Sequence, residues 1–180
     1  HRYTFDGRVL LGKNLILGDL DGDGLNEFVA GYRPFEEELA HLAVFGFDEK
    51  FQIELFSTLE ESIAVKYFAV DLADLDGDGD DDVLTRRTSS GQWAAFYMNG
   101  NNSSSNALVG IFSSADWQFR GALDANADGI DDVLLRRTSD SKWRLFLFDN
   151  TGDVASSSAP TYPYATADWT YRGTGDFDGD

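Results

Sequence analysis

Short runs of apolar residues alternate with polar turns along this chain, and the runs have strand length rather than helix length. The clearest example begins at Trp117. Trp117 to Leu123 predicts a strand leading into an acidic loop, and Asp132 to Thr138 a second strand leaving it. After the turn Ser139–Lys142, Trp143 to Asp149 predicts a third strand rich in aromatics. The turn Asn150–Asp153 precedes a weaker fourth strand before Pro163. The same order fits the start of the chain, with strands expected over Lys13–Gly18, Phe28–Arg33, Leu42–Phe47 and Phe51–Thr58. Helical periodicity is weak. Glu36–Ala40 could hold one turn of helix or a hairpin loop. Unbroken runs such as Leu145-Phe146-Leu147-Phe148 suit strands covered on both faces.

The pattern repeats. Val83-Leu84-Thr85-Arg86-Arg87-Thr88-Ser89 matches Val133-Leu134-Leu135-Arg136-Arg137-Thr138-Ser139 without a gap, and Trp93 matches Trp143 at the same offset of 50. Ala115-Asp116-Trp117-Gln118-Phe119-Arg120-Gly121 likewise matches Ala167-Asp168-Trp169-Thr170-Tyr171-Arg172-Gly173. Each unit contains one acidic loop. The loops start at Asp19, Asp74, Asp124 and Asp176, at spacings of 55, 50 and 52 residues. Four strands in a repeat of about 50 residues predict an all-β protein built of β-propeller blades, each of four antiparallel strands. Residues 1–12 read as the end of a preceding blade, 13–65, 66–114 and 115–165 as blades 1 to 3, and 166–180 as the start of a fourth. Propellers close with about 4 to 8 blades, so the expectation is an incomplete ring. Its other blades would come from a longer chain or from self-association. Asn99–Asn106 and Ser156–Ser158 read as exposed loops between third and fourth strands, and Asn101 and Asn102 both fit the glycosylation acceptor pattern.

The loops carry the candidate chemistry. Counted from the first aspartate, positions 1, 3, 5 and 9 hold oxygen-bearing side chains. They are Asp19, Asp21, Asp23 and Glu27 in loop 1, and Asp74, Asp76, Asp78 and Asp82 in loop 2. Loop 3 has Asp124, Asn126, Asp128 and Asp132, and the partial copy has Asp176, Asp178 and Asp180. Like charges this close repel unless a cation joins them, and calcium takes 6 to 8 oxygen ligands at once. Position 7 (Leu25, Asp80, Ile130) would add its main-chain carbonyl, which leaves its side chain free to vary. An EF-hand is excluded, because position 12 is Ala30, Thr85 or Leu135 and strands follow. Magnesium suits the loops less well, since it keeps its waters. About three calcium sites are expected, with a possible partial fourth.

Loops, period and the following Asp-Val-Leu strand resemble the FG-GAP/VCBS repeats of integrin α-subunit propellers and of large bacterial surface proteins. The resemblance covers nearly the whole chain. It implies calcium held in the hairpin between the first two strands of each blade, by the residues named above. Only unit one keeps something like the family's Gly-Ala-Pro segment, as Ala30-Gly31-Tyr32, and units two and three replace it with Thr/Leu-Arg-Arg-Thr and add the Trp. This favours the bacterial version.

Composition narrows the function. The 180 residues carry a formal net charge of -18, which repels nucleic acid and anionic membranes. Cysteine is absent, so any staple is metal rather than sulfur. No apolar run is long enough for a membrane-spanning helix. Of the two histidines, His1 and His41, neither has a Ser/His/Asp setting around it, and an enzyme is not expected. A site whose ligands all come from one loop clips a hairpin rather than exposing a Lewis acid. The expected function is a non-catalytic, extracellular module for adhesion, matrix or surface interaction with a protein or glycan. Two alternatives stand beside it. One is a lectin using Trp93, Trp143, Trp117, Trp169 and the arginine pairs Arg86/Arg87 and Arg136/Arg137, although packing between blades explains their recurrence better. The other is the propeller part of a polysaccharide-degrading enzyme.

Overall fold

A computed structural model describes residues 4–5, 8–34, 41–47, 52–60, 67–87, 89–159 and 171–173. They form three antiparallel sheets, each made of strands consecutive in the chain. The first sheet runs β1 (Thr4–Phe5), β2 (Arg8–Gly18), β3 (Glu27–Pro34), β4 (His41–Phe47) and β5 (Ile53–Glu60). The second runs β6 (Tyr67–Ala73), β7 (Asp82–Arg87), β8 (Trp93–Asn99) and β9 (Asn102–Val109). The third runs β10 (Trp117–Leu123), β11 (Asp132–Arg137), β12 (Trp143–Phe148) and β13 (Val154–Ser158). No helix occurs among the described residues, and Glu36–Ala40 lies outside them. The all-β character and the blade-like four-stranded second and third sheets are as the sequence predicts, whereas the first sheet carries β1 as a fifth strand.

Two readings need correction. β2 begins at Arg8 rather than Lys13, and its pairing with β3 is irregular between Leu11 and Ile16. The polar Gly12-Lys13-Asn14 stretch sits in that irregularity, which hides the strand from an alternation pattern. The serine- and asparagine-rich pieces are mostly strand, not loop. Only Gly100 and Asn101 turn the chain, and Asn102–Val109 then pairs with β8. Ser156–Ser158 pairs with β12 in the same way. Both are last strands of their sheets. Such an edge strand needs main-chain partners on one side only and can leave polar side chains in water.

The second sheet explains the unbroken apolar runs. Alternate side chains point to opposite faces of a strand. Val83, Phe96 and Met98 pack against Val29, Val44 and Leu59 of the first sheet and Leu20 of the acidic loop between β2 and β3. Leu84, Trp93, Ala95 and Tyr97 pack against Val133, Leu135, Phe146 and Phe148 of the third. Every residue from Trp93 to Met98 is buried. The strands that lead into the loops lie side by side, β2 against β6 and β6 against β10, so the three acidic loops leave neighbouring strands.

The Trp/Arg sets belong to these seams. Trp93 is 1% exposed, and its indole N–H donates to the Phe112 carbonyl at 3.1 Å. The Arg86 guanidinium lies over its ring, 5.0 Å from the centroid. Arg86 also donates to the carbonyls of Ser114 (2.9 Å) and Trp117 (3.1 Å), at the start of the third sheet. The arrangement recurs one unit on. Arg136 lies over Trp143 at 5.2 Å, and Trp143 meets the Tyr171 ring at 5.5 Å as Trp93 meets Phe119 at 6.1 Å. Arginine over indole is the packing arrangement the sequence favours over a sugar pocket. The Arg86 N–H groups named here go to main-chain carbonyls instead of loop carboxylates. Trp117 is also buried, under Arg137, and Trp169 lies outside the described residues.

Candidate metal centres

Loop 1 joins β2 to β3, loop 2 joins β6 to β7 and loop 3 joins β10 to β11, and all three share one hydrogen-bond frame. The position 1 carboxylate accepts the position 6 N–H: Gly24 to Asp19 at 2.9 Å, Gly79 to Asp74 at 3.0 Å and Gly129 to Asp124 at 2.8 Å. Position 3 accepts from position 5, with Asp23 to Asp21 at 3.2 Å, Asp78 to Asp76 at 3.3 Å and Asp128 to Asn126 at 3.1 Å. Position 5 accepts from position 7, with Leu25 to Asp23 at 2.7 Å and both Asp80 to Asp78 and Ile130 to Asp128 at 3.0 Å. These contacts curl the chain and turn the odd-numbered side chains inward. The curl needs a left-handed residue at position 4, supplied by Gly22 (φ 69°), Gly77 (φ 76°) and, in loop 3, Ala127 (φ 59°). A non-glycine residue is sterically strained there. Ala127→Gly should therefore raise stability by about 0.5–1 kcal/mol, measured as the urea midpoint. An unchanged or lower midpoint would contradict this geometry.

Position 9 closes the frame. Leu20 N–H donates to Glu27 (3.0 Å), Leu75 N–H to Asp82 (3.0 Å) and Ala125 N–H to Asp132 (3.1 Å). The other oxygen of Asp82 accepts Met98 N–H and that of Asp132 accepts Phe148 N–H, both at 2.9 Å. Asp82 and Asp132 thus pin their loops to the third strand of the same sheet, and all three position 9 acids are buried. Burial pushes the Asp82 carboxyl up to about 8 against the pull of its two N–H donors. It pushes Asp132 up to about 6 and raises Glu27, where Asp21, Asp23 and Asp19 add repulsion.

Ligand oxygens converge in two loops. Those of Asp19, Asp21 and Glu27 lie within 4.8 Å of one another, as do those of Asp74, Asp76 and Asp78. Hard oxygen donors without sulfur or imidazole suit calcium. One Asp19 oxygen is buried without a hydrogen-bond partner among the described residues, as an oxygen reserved for a cation would be. Loop 3 is different, because Asn126 Nδ2 donates to Asp128 at 2.8 Å and relieves the repulsion internally. Position 7 is less free than expected. The Asp80 carboxylate accepts Gly100 N–H at 2.7 Å, and Ile130 packs into the core beside Gly77. Asp176, Asp178 and Asp180 lie outside the described residues.

Position 8 went unread in the sequence. Asp131 N–H donates to the Asp74 carbonyl at 2.7 Å, and its carboxylate accepts Asp74 N–H at 3.3 Å, tying loop 3 to loop 2. Burial, then neighbouring acids, raise the carboxyl group of Asp81; burial, with repulsion from Asp74, raises that of Asp131. Their recurrence at an offset of 50 was the available signal. Asn101 was also missed as a contact. Its Nδ2 donates to Asp21 at 2.6 Å, whereas Asn102, the other glycosylation candidate, is exposed on β9. His41 stands beside the Tyr32 ring at 5.3 Å, on a sheet rather than in a loop. No family model matches this chain, and no curated protein matches it.

Proposed function

We propose that the protein is a calcium-stabilised β-propeller segment of the FG-GAP/VCBS kind, a non-catalytic extracellular module for adhesion, matrix or surface interaction. The observation that carries this reading is the convergence of carboxylate oxygens in loops 1 and 2, inside a hydrogen-bond frame that loop 3 repeats. Calcium would be held by Asp19, Asp21, Asp23 and Glu27 in loop 1, and by Asp74, Asp76, Asp78 and Asp82 in loop 2. The carbonyls of Leu25 and Asp80 would add to these. Loop 3, with Asp124, Asn126, Asp128, Asp132 and the Ile130 carbonyl, would bind more weakly for want of a charge. The bound ion supplies positive charge that offsets the repulsion. The chain's own residues orient the oxygens and anchor the hairpin. Extracellular calcium modules work at ~10⁻⁴–10⁻³ M, which motivates the location. A protein or glycan partner fits an adhesion role, with the remaining blades supplied by a longer chain or by self-association. Burial of Trp93 and Trp117 argues against a lectin reading built on them.

Melting in calcium and in chelator tests the proposal. At ten times Kd each filled site should add about 1.4 kcal/mol, and the melting temperature should rise by several degrees. Equal melting temperatures in calcium and chelator would refute it.

A further inference from the structure

The turn between β8 and β9 touches both of the carboxylate-rich loops. Asn101 Nδ2 donates to Asp21 Oδ2 of loop 1 at 2.6 Å. The Asn101 carbonyl accepts from Ser57 Oγ on β5, also at 2.6 Å. Gly100 N–H donates to Asp80 Oδ2 of loop 2 at 2.7 Å. A two-residue turn of the second sheet is thus fastened to the first sheet, to its acidic loop and to its own.

We propose that Asn101 is a positioning residue for the cation of loop 1, making that site a joint product of two sheets. The inference rests on the calcium reading above. Asp21 Oδ1 accepts Asp23 N–H from within the loop, and Oδ2 is held from across the seam. A carboxylate held at both oxygens keeps a lone pair on each for an ion and does not swing away when the ion leaves. The donor is a neutral amide. A lysine or arginine in its place would neutralise Asp21 and compete with the cation, whereas the amide orients the ligand and leaves its charge in place. The Asn101 amide oxygen is itself buried without a partner among the described residues, so the contact with Asp21 is what fixes the side chain. Ion binding in loop 1 therefore also tightens the seam between the first and second sheets.

Asn101→Ala tests this, with calcium affinity read by calorimetry and melting followed in calcium and in chelator. One site should weaken about tenfold while the others keep their affinity, as is usual when the hydrogen bond to a metal ligand is removed. The calcium-induced rise in melting temperature should shrink, with a smaller change in chelator. Asn101→Ser, which suits a turn but is too short to reach Asp21, should behave alike and guards against a folding defect in the alanine variant. Unchanged affinities, or an equal drop of melting temperature with and without calcium, would overturn the positioning role and leave the calcium reading intact. A wild-type protein that binds no calcium would overturn both.

Discussion

Asp82→Ala should destabilise the protein by about 4 kcal/mol, in chelator as well as in calcium. Asp82 is fully buried, and its two oxygens take the N–H groups of Leu75 and Met98 at 3.0 and 2.9 Å. Alanine would strand both donors where water does not reach, at about 1–3 kcal/mol each, and would leave a void beside them. Asp82→Asn keeps one acceptor but turns an NH₂ toward the other donor, so about half the loss is expected. Asp76→Ala is the contrast. Burial and then Asp78 raise the Asp76 carboxyl, so removing it in chelator relieves repulsion and should cost little. The same variant should lose calcium affinity in loop 2. Denaturant unfolding of the three variants in both buffers separates the two roles. An Asp82→Ala protein as stable as wild type in chelator would show that the pin has no energetic weight.

Metal-free protein should lose stability as pH rises from about 4 to about 8, by an amount on the order of a few kcal/mol. The sign follows from the direction of the shifts. Asp82 is pushed up to about 8 and Asp132 to about 6, and burial also raises Glu27, Asp71, Asp81 and Asp131. Each folded carboxyl then holds its proton more tightly than the unfolded one. The stabilisation is fully present below the unfolded value near 4 and is lost as pH climbs through the folded values. Asp116, Asp140 and Asp149 shift downward and act below this window. Calcium competes with protons for the loop carboxylates, so its stabilising effect should be larger at pH 8 than at pH 5. Melting curves across pH, with and without calcium, check both halves. A metal-free protein that grows more stable toward pH 8 would contradict the burial of these acids.

How much could be read from the chain depended on which interactions are local. The loop frame is local: aspartates two residues apart and a glycine at position 6 specify it, and the sequence showed it in all three copies. The strands of the third sheet were legible because Trp117, Trp143 and the Leu-Phe run stand between clear turns. β9 was not, because Asn102–Asn106 has the composition of a loop and becomes a strand through its pairing with β8. The site was legible in its ligands and not in its supports. Position 9 reads as one more ligand, yet Met98 and Phe148, which fix it in loops 2 and 3, lie 16 residues further on. Asn101 reaches Asp21 across 80 residues and has no counterpart in the repeat, so no periodic signal marks it. The Trp/Arg sets showed their recurrence in the sequence, but their burial depends on the neighbouring sheet.

The central claim is that a cation completes the loops, and a crystal structure grown in about 10 mM calcium tests it most directly. The account predicts an ion in loop 1 and another in loop 2, each held by carboxylate oxygens at about 2.3–2.6 Å. The ion of loop 1 should touch Asp19, Asp21 and Glu27, with Asn101 still bonded to Asp21. Loops 1 and 2 containing only water at that concentration, with their hydrogen-bond frame unchanged, would contradict it.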